Sequence, residues 1–232
     1  MKTHTRVAAS LLALLCLSCG GTERTRSTFP LVVSKESGAL VTDSGWTVTL
    51  TSATASLTSA RFFSGEVPAI SRRWSPLDLL ISTAWAHPGH YVPGEALGEL
   101  LTPVEVDLLA GDTPWGTVSA VTGRYGSMQL TLGSAGLRLA GMATKDMQTV
   151  AFDTQGFAPA APIEAIAFAH DMDASAGQVR LAFDLKATVS RMDFAQVGTG
   201  ANPLDPASPC FNGFGRGVQD SSAYHATWEV EQ

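Results

Sequence analysis

The chain has 232 residues, of which 45% are hydrophobic and only 16% are charged, and its formal net charge at pH 7 is −6. This length suits one large β domain or two small ones, and it can bury a substantial core. The acidic balance argues against nucleic acid or anionic lipid head groups as partners, because both would repel a negatively charged surface.

The first residues have the pattern of an export signal. Lys2 and Arg6 precede an apolar run over residues 7–17, and no acidic residue interrupts them. Eleven residues are too few to span a bilayer, since a membrane helix needs roughly 20 apolar residues. We therefore interpret residues 1–18 as a signal peptide that is removed on export.

Leu17-Ser18-Cys19-Gly20 follows the apolar run. It resembles the lipobox of bacterial lipoproteins, in which a small residue precedes the acylated cysteine. The resemblance implies that Cys19 carries the lipid, and that Gly20 directs the protein to the outer membrane, facing the periplasm or the cell surface. Cys16 departs from the family pattern, which prefers Leu at that position. The alternative is an ordinary secretory signal with two incidental cysteines.

The predicted mature chain consists of a short tether and one domain. Residues 19–28 are mostly small and polar without periodicity, which predicts a lipidated tether, and residues 29–232 form the domain. Removing the signal peptide leaves 214 residues and, with two basic residues lost, a net charge of −8. Cys210 is then the only free thiol, so no internal disulfide can form. We expect Cys210 to be either a buried small hydrophobe or a reactive or metal-binding group.

Period-two alternation predicts strands through most of the domain. The first strand opens at Trp46, and its alternation slips by one residue near Ser52, as a β-bulge would produce. A brief helix is predicted over residues 94–101. Further strands are predicted at 104–109, 116–122, 125–132, 137–143, 149–154, 163–169, 179–189 and 224–231, and glycine-containing turns separate several of them.

These elements define the predicted fold class. Short strands with regular glycine turns indicate an all-β domain, specifically an antiparallel β-sandwich with one or two short helices. Residues 198–217 are rich in glycine and proline and lack periodicity, which predicts a long functional or mobile loop.

The most pointed chemical feature is Trp85-Ala-His87-Pro-Gly-His90-Tyr91. Two imidazoles three positions apart across a Pro-Gly turn can converge on one metal ion. The other ligands would have to come from distant residues, for which the candidates are His170, His225, Cys210, Met172, Glu95 and Glu99. Sulfur ligands would favour copper, whereas carboxylates would favour zinc. The alternative is a loop without metal, in which the histidines bond to backbone carbonyls.

A second resemblance concerns the whole domain. Gly45-Trp46 at the start of a long strand, Met192-Asp193-Phe194 after a strand, and the closing strand from Tyr224 to Trp228 are similar to features of periplasmic copper-binding proteins. Those proteins pair with a di-haem tryptophan-oxidising enzyme, and they are small β-sandwiches that bind copper through two histidines and a modified tryptophan. The resemblance implies a copper set of His87 and His90, with Trp85.

Enzyme motifs are not apparent in the sequence. It has no Gly-x-Ser-x-Gly elbow, phosphate-binding Gly-x-x-x-x-Gly-Lys loop or His-Glu-x-x-His helix. Cys210 with Asp205 and a histidine could form a triad, but its surroundings match no such site. We therefore predict a non-catalytic protein, either a copper- or zinc-binding lipoprotein or a structural or partner-binding envelope module without metal.

Two of the five tryptophans could lie on a binding surface. Trp74 and Trp115 stand among arginine, proline and glycine residues, so we expect them to be exposed. Trp46 and Trp228 are in phase with apolar neighbours, so we expect them in the core.

Overall fold

The computed structural model describes residues 24–36, 38–67, 91–173, 175–198 and 202–230. The predicted signal peptide, Cys19 and the pair His87 and His90 lie outside these ranges. The described strands are β1 (Arg26–Lys35), β2 (Leu40–Val41), β3 (Thr47–Phe63), β4 (Ala96–Leu100), β5 (Val104–Asp107), β6 (Thr113–Val121), β7 (Gly123–Lys145), β8 (Gln148–Asp153), β9 (Ile163–Met172), β10 (Gly177–Phe183) and β11 (Tyr224–Val230).

Helices are few and short in the described ranges. They are α1 (Leu185–Ser190), α2 (Pro209–Gln219) and a 3-10 turn at Ser221–Ala223. None of the described helices is long and apolar enough to cross a membrane.

The strands form one mixed sheet. Its hydrogen-bonded order is β11-β10-β1-β6-β4-β3-β7-β8, while β2 and β5 pair with β3 and β9 pairs with β7. The pairing of β1 with β10 is parallel, and the other pairings are antiparallel. The all-β class is confirmed, but the purely antiparallel sandwich is not. A parallel pair joins strands distant in sequence, and local turn signals do not encode such a pairing.

The long strands β3 and β7 are the centre of the sheet. The register between them shifts at Leu50 and Ser52, which agrees with the β-bulge predicted from the slip in alternation. The predicted turn at residues 133–136 is wrong, because β7 continues through it. Glycine serves close packing here, since a Cβ on Gly133 would lie 2.4 Å from the Ser56 hydroxyl oxygen.

Two other element predictions are wrong for reasons of tertiary context. The segment expected to be a helix near residues 94–101 contains β4, which pairs with both β3 and β6. Burial of Leu97 and Leu100 between these neighbours outweighs local helix preference. The strand expected over 179–189 ends at Phe183, because Asp184 caps α1 by accepting a hydrogen bond from the backbone N–H of Ala187.

The predicted Gly/Pro-rich loop contains α2. Ser208 caps the helix by accepting from the N–H of Phe211, and proline occupies the first helical position. Two glycines let α2 approach α1 and the residue that follows it. A Cβ on Gly213 would lie 2.1 Å from the Arg191 carbonyl oxygen, and one on Gly217 would lie 2.0 Å from that of Thr188. The loop prediction is therefore wrong from residue 209 onward.

Aromatic rings from four strands fill the middle of the core. Phe62 on β3 makes edge contacts with Phe29 on β1, at 5.4 Å between centroids, and with Phe168 on β9, at 5.3 Å. Phe29 also contacts Trp228 on β11, at 5.5 Å. Such edge-to-face pairs stabilise a core beyond the area that they bury. They join strands that are not hydrogen-bonded to each other.

We expect Gly217→Ala to lower the free energy of unfolding by about 2 kcal/mol, because the clash with Thr188 outweighs the roughly 1 kcal/mol by which alanine favours a helix. Urea unfolding followed by circular dichroism would measure the change. Gly198→Ala is the control, since a Cβ there meets nothing within 4 Å. Equal stability of the two variants would contradict the close packing of α2 on α1.

Candidate functional site

The candidate site is the end of the sheet at which β1 begins, here called the entry end. Residue pairing brings many strand ends together there. Arg26, the first residue of β1, lies opposite the last residue of β6, and Met172, the last residue of β9, lies opposite the first residue of β7. β3 ends and β4 begins at the same place, where Phe63 pairs with Ala96. β11 ends nearby, with Val230 opposite Gly177.

The chain is bound to the sheet from Arg24 onward. The Thr25 N–H donates to the Thr122 hydroxyl at 3.0 Å, and the Thr122 N–H donates to the Thr25 carbonyl at 2.8 Å. The Arg24 guanidinium pairs with Glu95 at 2.5 Å. The last residues of the predicted tether therefore belong to the folded sheet, and β1 begins three positions before the predicted domain boundary.

Tyr91 is held at the entry end by a hydrogen-bond relay. The Ser127 hydroxyl donates to the Gly65 carbonyl at 2.6 Å, and the Tyr91 and Ser127 hydroxyl oxygens are 2.8 Å apart. Because the single proton of Ser127 is used on Gly65, Tyr91 is the donor in this second bond. Tyr91 directly follows His90 in the sequence. The residue that follows His90 is thus held at the entry end.

His170 points into the core from β9. Its ring stacks on Trp228, with centroids 4.5 Å apart and planes inclined by 15°. Its Nε2 atom is buried, and no described residue bonds to it. Burial lowers the pKa of His170 from its ordinary value of 6.5, and the opposing effects of Asp173 and Asp171 are smaller. The imidazole is therefore neutral at pH 7, and its Nε2 is unpartnered among the described residues.

Met172, close to His170 on β9, has a thioether sulfur, which is a soft metal ligand. The two residues are two positions apart on β9, so their side chains project from the same face. Met172 is buried opposite Gly123. This stretch of β9 therefore offers a neutral imidazole and a thioether near the entry end.

The other predicted ligands are engaged elsewhere. His225 is three positions before Trp228 on β11, so it projects from the opposite face, where its Nδ1 contacts Glu36. Glu95 pairs with Arg24, and Glu99 faces Arg61. Among the described residues, no group of three or more His, Cys, Asp or Glu side chains could hold a metal.

Cys210 is a buried thiol in the first turn of α2. Burial raises the pKa of Cys210 to about 12, with a smaller contribution from Asp193. The thiolate is the form that acts as a nucleophile or metal ligand, and it is scarce at neutral pH. Of the two expected roles, Cys210 thus has the environment of a small core residue.

The burial of the tryptophans differs in part from the prediction. Trp46 is buried and Trp228 is partly buried against the core, as expected. Trp115 is also buried, and its indole N–H donates to the Thr102 carbonyl at 2.7 Å, so the prediction of an exposed Trp115 is wrong. Trp74 and Trp85 lie outside the described residues.

No family model, curated protein or solved structure matches this chain.

We expect His170 to make the stability of the fold depend on pH. In the unfolded chain its pKa is near 6.5, and in the folded chain it is lower. Its contribution is therefore fully present above about pH 6.5 and is lost as the pH falls toward the folded-state pKa. His170→Phe keeps a stacking ring that cannot be protonated. The stability of this variant should gain on the wild type between pH 7.5 and 5.5, by no more than about 1.4 kcal/mol per pH unit for one proton.

Urea unfolding of both proteins at several pH values would measure this difference. His225→Phe is the control, because His225 lies on the opposite face and half-exposed. Parallel stability curves for wild type and His170→Phe would show that His170 is not buried in its neutral form.

Proposed function

We propose that this protein is a non-catalytic lipoprotein of the bacterial outer membrane, attached through a lipid on Cys19. The observation that carries the proposal is the short distance in sequence between Cys19 and the folded sheet. Arg24 already pairs with Glu95, and Thr25 bonds to Thr122. A lipid on Cys19 would therefore hold the whole domain, since only residues 20–23 stand between them.

The net charge supports attachment by lipid rather than by electrostatics. The predicted mature chain carries about eight net negative charges at pH 7, so it gains little from anionic head groups. A single acyl chain binds a membrane only weakly, whereas two or more chains anchor a protein stably. The acylated cysteine of the lipobox pattern would supply several chains at one point.

A non-catalytic role is supported by the burial of the one nucleophile that the sequence offered. Cys210 has a pKa raised to about 12, which leaves little thiolate for attack at neutral pH. We therefore assign the domain the role of a structural or partner-binding module, whose partner is another envelope component.

Cys19→Ala tests the anchor. We expect the wild-type protein to sediment with membranes and to leave them only in detergent, and we expect Cys19→Ala to be released by osmotic shock. Cys16→Ala is the matched control and should stay membrane-bound, because the proposal places the lipid on Cys19 alone. Membrane retention of Cys19→Ala, or release of the wild type, would contradict the proposal.

Copper or zinc binding is a second candidate, and one observation favours it. His170 and Met172 share a face of β9 near the entry end, where Tyr91, the residue after His90, bonds to Ser127. A neutral imidazole and a thioether are the ligand types that copper takes in proteins. In this proposal His87 and His90 supply further imidazoles, and the metal would serve binding rather than catalysis.

Metal loading tests this candidate. We expect purified protein to retain about one equivalent of copper or zinc after dialysis, and His87→Ala/His90→Ala to lose most of it. His225→Ala should retain the metal, because His225 faces Glu36 on the other side of the sheet. Less than about a tenth of an equivalent in the wild type would rule out the metal and leave the partner-binding module.

A further inference from the structure

We propose that the entry end of the sheet contacts the surface of the bilayer, so that the domain stands on the membrane with its β7–β8 hairpin pointing away. This inference rests on the lipid anchor proposed at Cys19. It adds the orientation of the domain on the membrane and a surface of contact. The partner at this surface is the zwitterionic lipid around the anchor.

The reach of the chain limits how far the entry end can leave the membrane. Five residue steps separate Cys19 from Arg24, and fully extended they cover about 18 Å. Arg24 and Thr25 are bound to Glu95 and Thr122, so β1 cannot lengthen the linker without breaking these contacts. The entry end therefore stays within one short linker of the lipid head groups.

The opposite end of the sheet lies far beyond this reach. β7 begins at Gly123 at the entry end and runs for 23 residues to Lys145. β3 lies antiparallel beside it over 17 residues, and at about 3.3 Å per residue this is roughly 55 Å, less what the bulges, twist and bend of the sheet remove. Met147, in the turn to β8, is fully exposed there. It marks the end that should face away from the membrane.

The entry end has exposed apolar side chains suited to a lipid surface. Val92 is 69% exposed and Val230 is 66% exposed. Val92 lies in space next to the residues that follow β3. The N–H of Gly65 donates to the carbonyl of Pro93, the residue after Val92, at 2.8 Å. Val230 is the last residue of β11. Single exposed valines are common on proteins, but these two share the end from which the linker leaves.

Charges at this end are largely paired. Arg24 is neutralised by Glu95, and Arg124 pairs with Glu66 at 2.7 Å. Arg26, the first residue of β1, adds a positive charge, and Asp171, opposite Arg124 on β9, adds a negative one. An end with no excess of positive charge gains nothing from anionic lipids, so the contact should be with zwitterionic head groups.

Photo-crosslinking of the full, lipidated chain tests the orientation. A benzophenone amino acid is placed at Val92, Val230 or Met147, and the protein is irradiated on phosphatidylcholine vesicles. We expect at least five times more phospholipid adduct from positions 92 and 230 than from position 147. All three side chains are exposed, so Met147 is a matched control for reactivity.

A variant with a longer linker provides a second test of the orientation. Inserting twenty Gly/Ser residues between Gly21 and Thr22 keeps the lipid but lets the domain move several tens of ångströms from the surface. We expect the adducts at positions 92 and 230 to fall at least threefold. Equal adducts at all three positions, or none at 92 and 230 in sedimenting protein, would overturn the orientation while leaving the anchor intact.

Failure of the anchor has a different signature. Protein that does not sediment with vesicles before irradiation would refute lipid attachment, and with it the orientation. Protein–protein adducts at positions 92 and 230 in place of lipid adducts would overturn the membrane contact and identify this end as a contact between copies of the chain.

Discussion

The stack of His170 on Trp228 joins two strands, β9 and β11, that the hydrogen bonds of the sheet leave apart. β9 is hydrogen-bonded to β7 and β11 to β10, so the backbone pairing alone places β9 and β11 far apart. They nevertheless pack side by side, and the two rings lie between them at 4.5 Å. Phe29 then contacts Trp228 from β1, so that one aromatic group unites strands from both halves of the sheet.

The entry end brings together the residues of chemical interest. Backbone pairing places the last residues of β9 and β11 there, near the start of β1 and Tyr91, and the ring stack holds these two strands together. The hydrogen bonds of Thr25 and Ser127 fix the chain at the same end. The proposed point of membrane attachment, the neutral imidazole and the thioether therefore lie at one end of the molecule.

Features with a local cause were predictable from the sequence, and features with a distant cause were not. The bulge near Ser52 and the last strand, Tyr224–Val230, follow from period-two alternation, which any half-buried strand must show. The glycines of α2 predict a loop, because nothing nearby in sequence reveals that Gly217 packs on Thr188. The stack of His170 on Trp228 joins positions remote in the chain, whereas sequence reading emphasises histidines that are adjacent, such as His87 and His90.

The lipid on Cys19 is the central claim, and the mass of the mature N-terminal peptide tests it most directly. Trypsin should release residues 19–24 of the membrane-extracted protein, since Arg24 is the first basic residue after Cys19. We predict that this peptide begins at Cys19 and carries the mass of a diacylglyceryl group on its sulfur. A peptide that begins elsewhere, or one with an unmodified Cys19, would contradict the anchor.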